Sequence, residues 1–203
     1  MYFLLPLMLM FATTPQYPSY DDIMHKAIYD CDYAIPEDID LDLLELLVEV
    51  EKRHNVPPSL RGMLLAAACH ESGYDPLARG DHSFHPQGKA KAIGLFQMWP
   101  WWERNKPWGY EIDRTKPAEA AEAYMRHVTK RFLKIRSDCK INKSNRKAIW
   151  LASWATAIRA PKKTGRCNEK PRFYRIMKRW HKDSLKERRE YMEECAKDGG
   201  CGC

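Results

Sequence analysis

The spacing of apolar residues along the chain predicts a mainly α-helical protein. Residues 40–51 place four apolar side chains on one helical face, Leu43, Leu44, Leu47 and Val48. Residues 59–71 are apolar nearly all round, which predicts a central buried helix that begins after two prolines and ends near Gly73. No convincing alternation of apolar and polar residues indicates a strand.

Three further helices are predicted, over residues 118–133, 147–158 and 171–196. The first two are expected to be buried, and the last is long and basic with a narrow apolar stripe. Residues 73–93 have the composition of a loop, and a short apolar segment follows at 92–100. The length of 203 residues fits one domain with extensions.

The N-terminal residues 1–12 form an apolar run of signal-peptide length. We therefore interpret residues 1–19 as an export segment, although no base precedes the run and no small-x-small cleavage site follows it; a buried N-terminal segment is the alternative. The remaining chain divides into a helical extension (20–54), a central domain (55–160) and a basic, Cys-ended tail (161–203).

The net charge of +7 is unevenly distributed along the chain. Residues 1–50 carry −9, residues 51–160 carry +10 and residues 161–203 carry +6. A basic body suggests an acidic polymer as partner, either nucleic acid, anionic lipid or an anionic glycan, and a simply solvated basic surface is the alternative. No apolar run reaches the roughly 18 residues of a membrane span, so no span is expected.

The seven cysteines support an oxidising compartment. Cys139 and Cys167 flank one predicted helix and are expected to form a disulfide, whereas Cys69, inside an apolar helix, is expected to be a free thiol. No paired C-x-x-C spacing indicates zinc, and His82 and His85 have the character of ordinary loop histidines. We expect neither a metal nor a cofactor.

Glu71 is the principal candidate for chemistry. It ends the most apolar helix, where burial and the negative end of the helix dipole are both expected to raise its pKa. A carboxyl group that stays protonated near neutral pH can donate a proton to a glycosidic oxygen. The alternative is that Glu71 points to solvent where the helix emerges.

Three motifs in order resemble the lytic transglycosylase family, which has a lysozyme-like fold. They are Glu71-Ser-Gly-Tyr-Asp-Pro76, Gly94-Leu-Phe-Gln-Met-Trp-Pro100, and a stretch from Asp113 that leads into a helix of the form A-x-x-x-Y-M at Tyr124. The resemblance covers residues 55–160, about half of the chain. It implies a mainly α, lysozyme-like domain with helical N- and C-terminal extensions.

By this resemblance, Glu71 is the single general acid/base of a reaction on peptidoglycan. Glu71 would cleave the β-1,4 bond between N-acetylmuramic acid and N-acetylglucosamine and leave a 1,6-anhydro ring. Ser72 would orient Glu71 or the substrate, and Gln97 would hydrogen-bond a sugar. The residues expected to bind substrate are Ser72, Gly94, Leu95, Phe96, Gln97, Tyr124 and Trp154, and Gly94 would let the backbone approach a ligand closely.

The chain departs from the family pattern at Trp154-Ala155, where members carry Tyr-Asn, and has an additional segment at 81–85. A lysozyme-type hydrolase therefore stays open, with Asp75, Asp81 or Glu111 positioning a water, as does a glycan-binding wall protein without catalysis. Among the tryptophans, Trp101 or Trp102 is expected to be half-exposed and to stack on sugar, and Trp99 to pack internally. We expect an exported monomer that acts on peptidoglycan strands, not on nucleic acid.

Overall fold

The computed structural model describes residues 17–80, 91–100, 102, 111–140, 142–157 and 167–197, and within them the chain is mainly α-helical, as predicted. Six α-helices lie in this part of the chain: α1 (Tyr20–Tyr29), α2 (Leu41–Arg53), α3 (Met63–Ser72), α4 (Pro117–Asp138), α5 (Arg146–Ala157) and α6 (Tyr174–Lys197). Short 3-10 helices precede α2 and α3, at Pro36–Asp38 and Pro58–Leu60. The apolar run at 1–12 and the residues Asp81, His82, His85 and Trp101 lie outside the described residues.

Helix α3 lies at the centre of the core and is packed by α1, α2 and α6. Its residues from Met63 to Cys69 are all buried, as the sequence predicts. It begins four residues later than predicted, because the carboxylate of Glu51 accepts hydrogen bonds from the backbone N–H groups of Gly62 (2.6 Å) and Leu64 (2.7 Å). These bonds satisfy first-turn donors that have no partner within a helix.

Gly73 ends α3 in the left-handed conformation, with φ of 60°. Its N–H donates to the carbonyl of Cys69 at 3.0 Å. A Cβ atom at this position would lie 1.9 Å from the carbonyl oxygen of Tyr33, so only glycine fits. The end of α3 is thereby held against the segment that follows α1.

Helices α4 and α5 form an antiparallel hairpin. The rings of Tyr124 and Trp154 lie 5.7 Å apart at one end, and those of Phe132 and Trp150 stack at 4.4 Å further along. Helix α4 continues to Asp138, five residues beyond its predicted end, since its apolar stripe continues to the buried Ile135.

A small antiparallel β-ladder pairs β1 (Arg79–Gly80) with β2 (Ala92–Ile93), with Arg79 opposite Ile93 and Gly80 opposite Ala92. The sequence does not predict it, because two residues are too few to show an alternating pattern. The ladder places the Gly94–Gln97 segment beside the end of α3.

The acidic and basic flanks of the chain pair with each other. Arg188 of α6 lies 2.5 Å from the carboxylate of Asp22 in α1, and the nearly buried Lys26 pairs with Glu187. Part of the acidic charge of the N-terminal segment is therefore neutralised by the basic tail.

Two disulfides join described cysteines. Cys139–Cys167, the predicted bridge, is confirmed, with Cα atoms 5.9 Å apart. The prediction of a free thiol at Cys69 is wrong, since Cys69 is bonded to Cys31. Cys31 follows α1, and the packing of α1 on α3 brings the two residues together across 38 positions of sequence. None of the described helices has the length and apolarity needed to span a membrane.

Candidate active site

Glu71 lies half-buried in the last turn of α3 and lines a pocket of about 260 Å³. Three of the other predicted site residues line the same pocket: Phe96, Gln97 and Tyr124. Three further residues complete its described lining, Gly80, Trp99 and Trp102. The structure thus brings together side chains from the three motifs, which are separated by up to 53 positions of sequence.

The Gly94–Gln97 segment is a tight turn that closes a hairpin. Ile93 and Met98 pair across its base, and the N–H of Gln97 donates to the carbonyl of Gly94 at 3.0 Å. Gly94 adopts a φ of 78°, and a Cβ there would lie 2.1 Å from the carbonyl oxygen of Arg114. The close approach that Gly94 permits is therefore to the backbone of Arg114, and Gly94 is absent from the described pocket lining.

Arg114 holds this hairpin in place and was not predicted. Its buried guanidinium donates from Nη1 to the carbonyls of Met98 (2.5 Å) and Lys91 (3.2 Å), on the two sides of the turn. A buried charge bonded in this way is costly to remove, because the carbonyls would lose their partner. Leu95, at the tip of the turn, is 1% exposed and packs into the core, so it does not reach a ligand in the pocket.

The side-chain amide of Gln97 is oriented by hydrogen bonds to two nearby backbone carbonyls. Its Nε2 donates to the carbonyls of Ala78 (3.2 Å) and Gly94 (3.1 Å). Its Oε1 lies 2.2 Å from where a Cβ on Gly80 would stand, so the amide occupies space that any other residue at position 80 would fill. With both amide hydrogens directed to backbone carbonyls, Oε1 is the group that Gln97 offers to a ligand, as a hydrogen-bond acceptor.

Tyr124 presents a buried hydroxyl next to Glu71. Its ring stacks on Phe96 at 4.7 Å and on Trp102 at 5.9 Å, and only 1% of the residue is exposed. The hydroxyl has no hydrogen-bond partner. Burial and the negative charge of Glu71 both raise the pKa of Tyr124 well above its ordinary value. The phenol is therefore neutral, and its hydroxyl is a donor without an acceptor.

Two further predicted site residues, besides Gly94 and Leu95, do not line the pocket. Trp154 is fully buried behind Tyr124, and its Nε1 has no hydrogen-bond partner. Ser72 donates from Oγ to the carbonyl of Ala68 at 3.1 Å, one turn back in its own helix. Neither is among the described residues that line the pocket.

The two described tryptophans of this segment differ from the expectation, since Trp99 is exposed and Trp102 is buried; Trp101, the other residue expected to be half-exposed, lies outside the described residues. Trp99 is 42% exposed, and the Lys91 ammonium lies 5.5 Å from its ring centroid. Trp102 is 5% exposed and packs edge-on against the ring of His127 at 4.8 Å. The N–H of Trp102 donates to the carbonyl of Trp99 in a turn that directs Trp102 inward onto α4 and leaves Trp99 outside.

Glu71 supplies the only carboxylate among the described residues that line the pocket. Asp75 is exposed, and its Oδ1 accepts from the N–H of Leu77 at 2.8 Å; Glu111 is also exposed, and neither belongs to that lining.

Comparison with family models, curated proteins and solved structures gives no match to this chain.

Proposed function

We propose that this protein is an exported peptidoglycan lytic transglycosylase with a lysozyme-like catalytic domain. The observation that carries the proposal is the meeting of Glu71, Gln97 and Tyr124 in one pocket. The three lie in the three motifs that resemble this family, and nothing in the spacing of the motifs alone requires them to meet. Two disulfides support export, since such bonds persist in oxidising compartments.

In the proposed reaction, Glu71 first acts as general acid. It protonates the glycosidic oxygen between N-acetylmuramic acid and N-acetylglucosamine as the bond to the anomeric carbon breaks. The resulting carboxylate then takes the proton of the C6 hydroxyl, and the C6 oxygen attacks the anomeric carbon to close a 1,6-anhydro ring. No water is consumed, so the reaction needs one carboxyl group where ordinary glycosidases use two.

Family members carry a tyrosine at the position of Trp154, and in this chain Tyr124 would supply the hydroxyl that such a tyrosine provides. Its neutral, unpartnered O–H can donate to the Glu71 carboxylate that forms after the first proton transfer, or to the bound sugar. The acceptor Oε1 of Gln97 and the exposed ring of Trp99 would hold the sugar, through a hydrogen bond and an apolar contact with pyranose C–H groups.

Mass spectrometry of muropeptides released from purified peptidoglycan tests both the role of Glu71 and the formation of the 1,6-anhydro ring. We expect wild type and Asp75→Asn to release products with 1,6-anhydro ends, which are one water lighter than reducing ends. Glu71→Gln is expected to release none. Reducing ends from wild type would instead favour a lysozyme-type hydrolase. Equal release by wild type and Glu71→Gln, with binding retained, would favour a glycan-binding wall protein.

A further inference from the structure

We propose that the far end of the α4–α5 hairpin binds a phosphate ester. A second pocket, of about 310 Å³, opens there and is lined by Phe132, Arg136, Asn142, Lys143 and Arg146. Phe132 lies eight residues after Tyr124 on α4. The rise of an α-helix therefore separates this basic pocket from the candidate active site by about 12 Å along the helix axis.

The stretch of sequence that contributes this basic pocket is rich in positive charge. Residues 130–147 contain eight Lys and Arg residues and one acid, Asp138. Arg136, Lys143 and Arg146 make no ion pair with any described residue, whereas Lys26 and Arg188 of the flanks are paired. Three unpaired cations around one cavity repel each other, and a bound anion removes that repulsion.

The backbone of residues 142–145, just before α5, is held in a fixed turn. Asn142 accepts at Oδ1 from the N–H groups of Ser144 (2.9 Å) and Asn145 (3.0 Å), and its own N–H donates to Asn145 Oδ1 at 2.7 Å. The disulfide Cys139–Cys167 fastens the chain at the end of α4. These bonds hold the backbone of Lys143 in place before any ligand arrives, which lowers the entropic cost of binding.

The lining favours a phosphate ester over a carboxylate. Three exposed cations that line one pocket suit a group with more than one negative charge, and the guanidinium groups of Arg136 and Arg146 can each bond two of its oxygens. The ring of Phe132, stacked on Trp150, adds an apolar surface of the kind that contacts the C–H groups of a sugar or polyol. The ligand class that fits is therefore a phosphorylated sugar or polyol.

Titrations followed by amide NMR shifts test the site, with inorganic phosphate, glycerol 3-phosphate and uncharged glycerol as probes. We expect both anions to shift residues 142–146 and glycerol to shift none. Glycerol 3-phosphate should bind at least about threefold more tightly than inorganic phosphate, because of the contact with Phe132. The variant Arg136→Gln/Lys143→Gln/Arg146→Gln should weaken binding of both anions at least tenfold (about 1.4 kcal/mol).

A matched control removes the same charge elsewhere. Lys178, Lys182 and Lys197 are exposed on α6, and the triple change of these residues to Gln should alter affinity less than about twofold. An equal loss of anion affinity in the two triple variants would overturn the proposed site. Equal affinity for inorganic phosphate and glycerol 3-phosphate would overturn the proposed phosphate-ester ligand. Glu71→Gln should bind both anions like wild type, so the result is independent of the proposed catalytic function.

Discussion

The carboxylate of Glu51 accepts a 2.7 Å hydrogen bond from the backbone N–H of Leu64, in the first turn of the helix that carries Glu71 at its other end. It also accepts from Gly62 at 2.6 Å and from the hydroxyl of Tyr20 at 3.1 Å. Glu51 is 1% exposed, and burial raises its pKa to about 7 despite these bonds. One buried acid from α2 therefore fixes where the central helix begins.

This raised pKa predicts that Glu51 makes the protein less stable as pH rises. Between its ordinary value of 4.5 and about 7, the unfolded chain loses this proton and the folded chain keeps it. The free energy of unfolding should then fall by about 3 kcal/mol across this window. Above about pH 7, Glu51 is ionised in both states and should cause no further change with pH. Urea unfolding over this range measures the effect: the free energy of unfolding of wild type minus that of Glu51→Gln should fall by about 3 kcal/mol as pH rises.

The comparison between variants is needed because other groups titrate in the same window. The pKa of buried His127 is lowered to about 4, mainly by burial, and this histidine makes the protein more stable as pH rises. Glu49→Gln changes an exposed carboxyl on the same helix and should reproduce the wild-type dependence. If the free energy of unfolding of wild type minus that of Glu51→Gln instead rises with pH, the backbone hydrogen bonds lower the pKa of Glu51 by more than burial raises it.

Tyr124→Phe should separate activity from stability. Removing a buried hydroxyl without a partner should leave the free energy of unfolding unchanged or raise it by up to about 1 kcal/mol. Under the proposed function, muropeptide release should fall roughly tenfold to hundredfold, since the proposed donor to Glu71 or the sugar is lost. Tyr74→Phe is the control, because the Tyr74 hydroxyl is also buried without a partner but is absent from the described pocket lining. Full activity in Tyr124→Phe would remove Tyr124 from the mechanism.

Helices α2 to α6 could be predicted from the sequence, since each buries apolar side chains whose spacing is visible over ten or more residues, whereas α1 was expected only as part of a helical extension over 20–54. The partner of Cys69 could not, because it depends on how α1 packs on α3. Glu71 and Gln97 were found through short motifs. No equivalent sequence signal marks Gly80 or Arg114, because their contacts form only after folding: Gly80 leaves space for the side-chain amide of Gln97, and Arg114 donates to the backbone carbonyls of Met98 and Lys91.

Gly80→Ala should disturb the site through Gln97. The new methyl group would lie 2.2 Å from Oε1, so the amide must rotate away and lose its hydrogen bonds to Ala78 and Gly94. We expect kcat/KM on isolated glycan strands to fall about tenfold, and the same change in a Gln97→Ala background to cost little more. Equal losses in both backgrounds would mean that Gly80 acts on the substrate or the backbone and not through Gln97.

The two disulfides between described cysteines should have similar effects on stability but different effects on activity. They close loops of 38 and 28 residues, so replacing either pair with alanine should lower the free energy of unfolding by about 4 kcal/mol. Cys69 lies two residues before Glu71, whereas Cys139 lies at the far end of α4. At a temperature where both variants are folded by circular dichroism, only Cys31→Ala/Cys69→Ala should release muropeptides more slowly. Equal rates in the two folded variants would show that the bond to Cys31 stabilises α3 without positioning the end that carries Glu71.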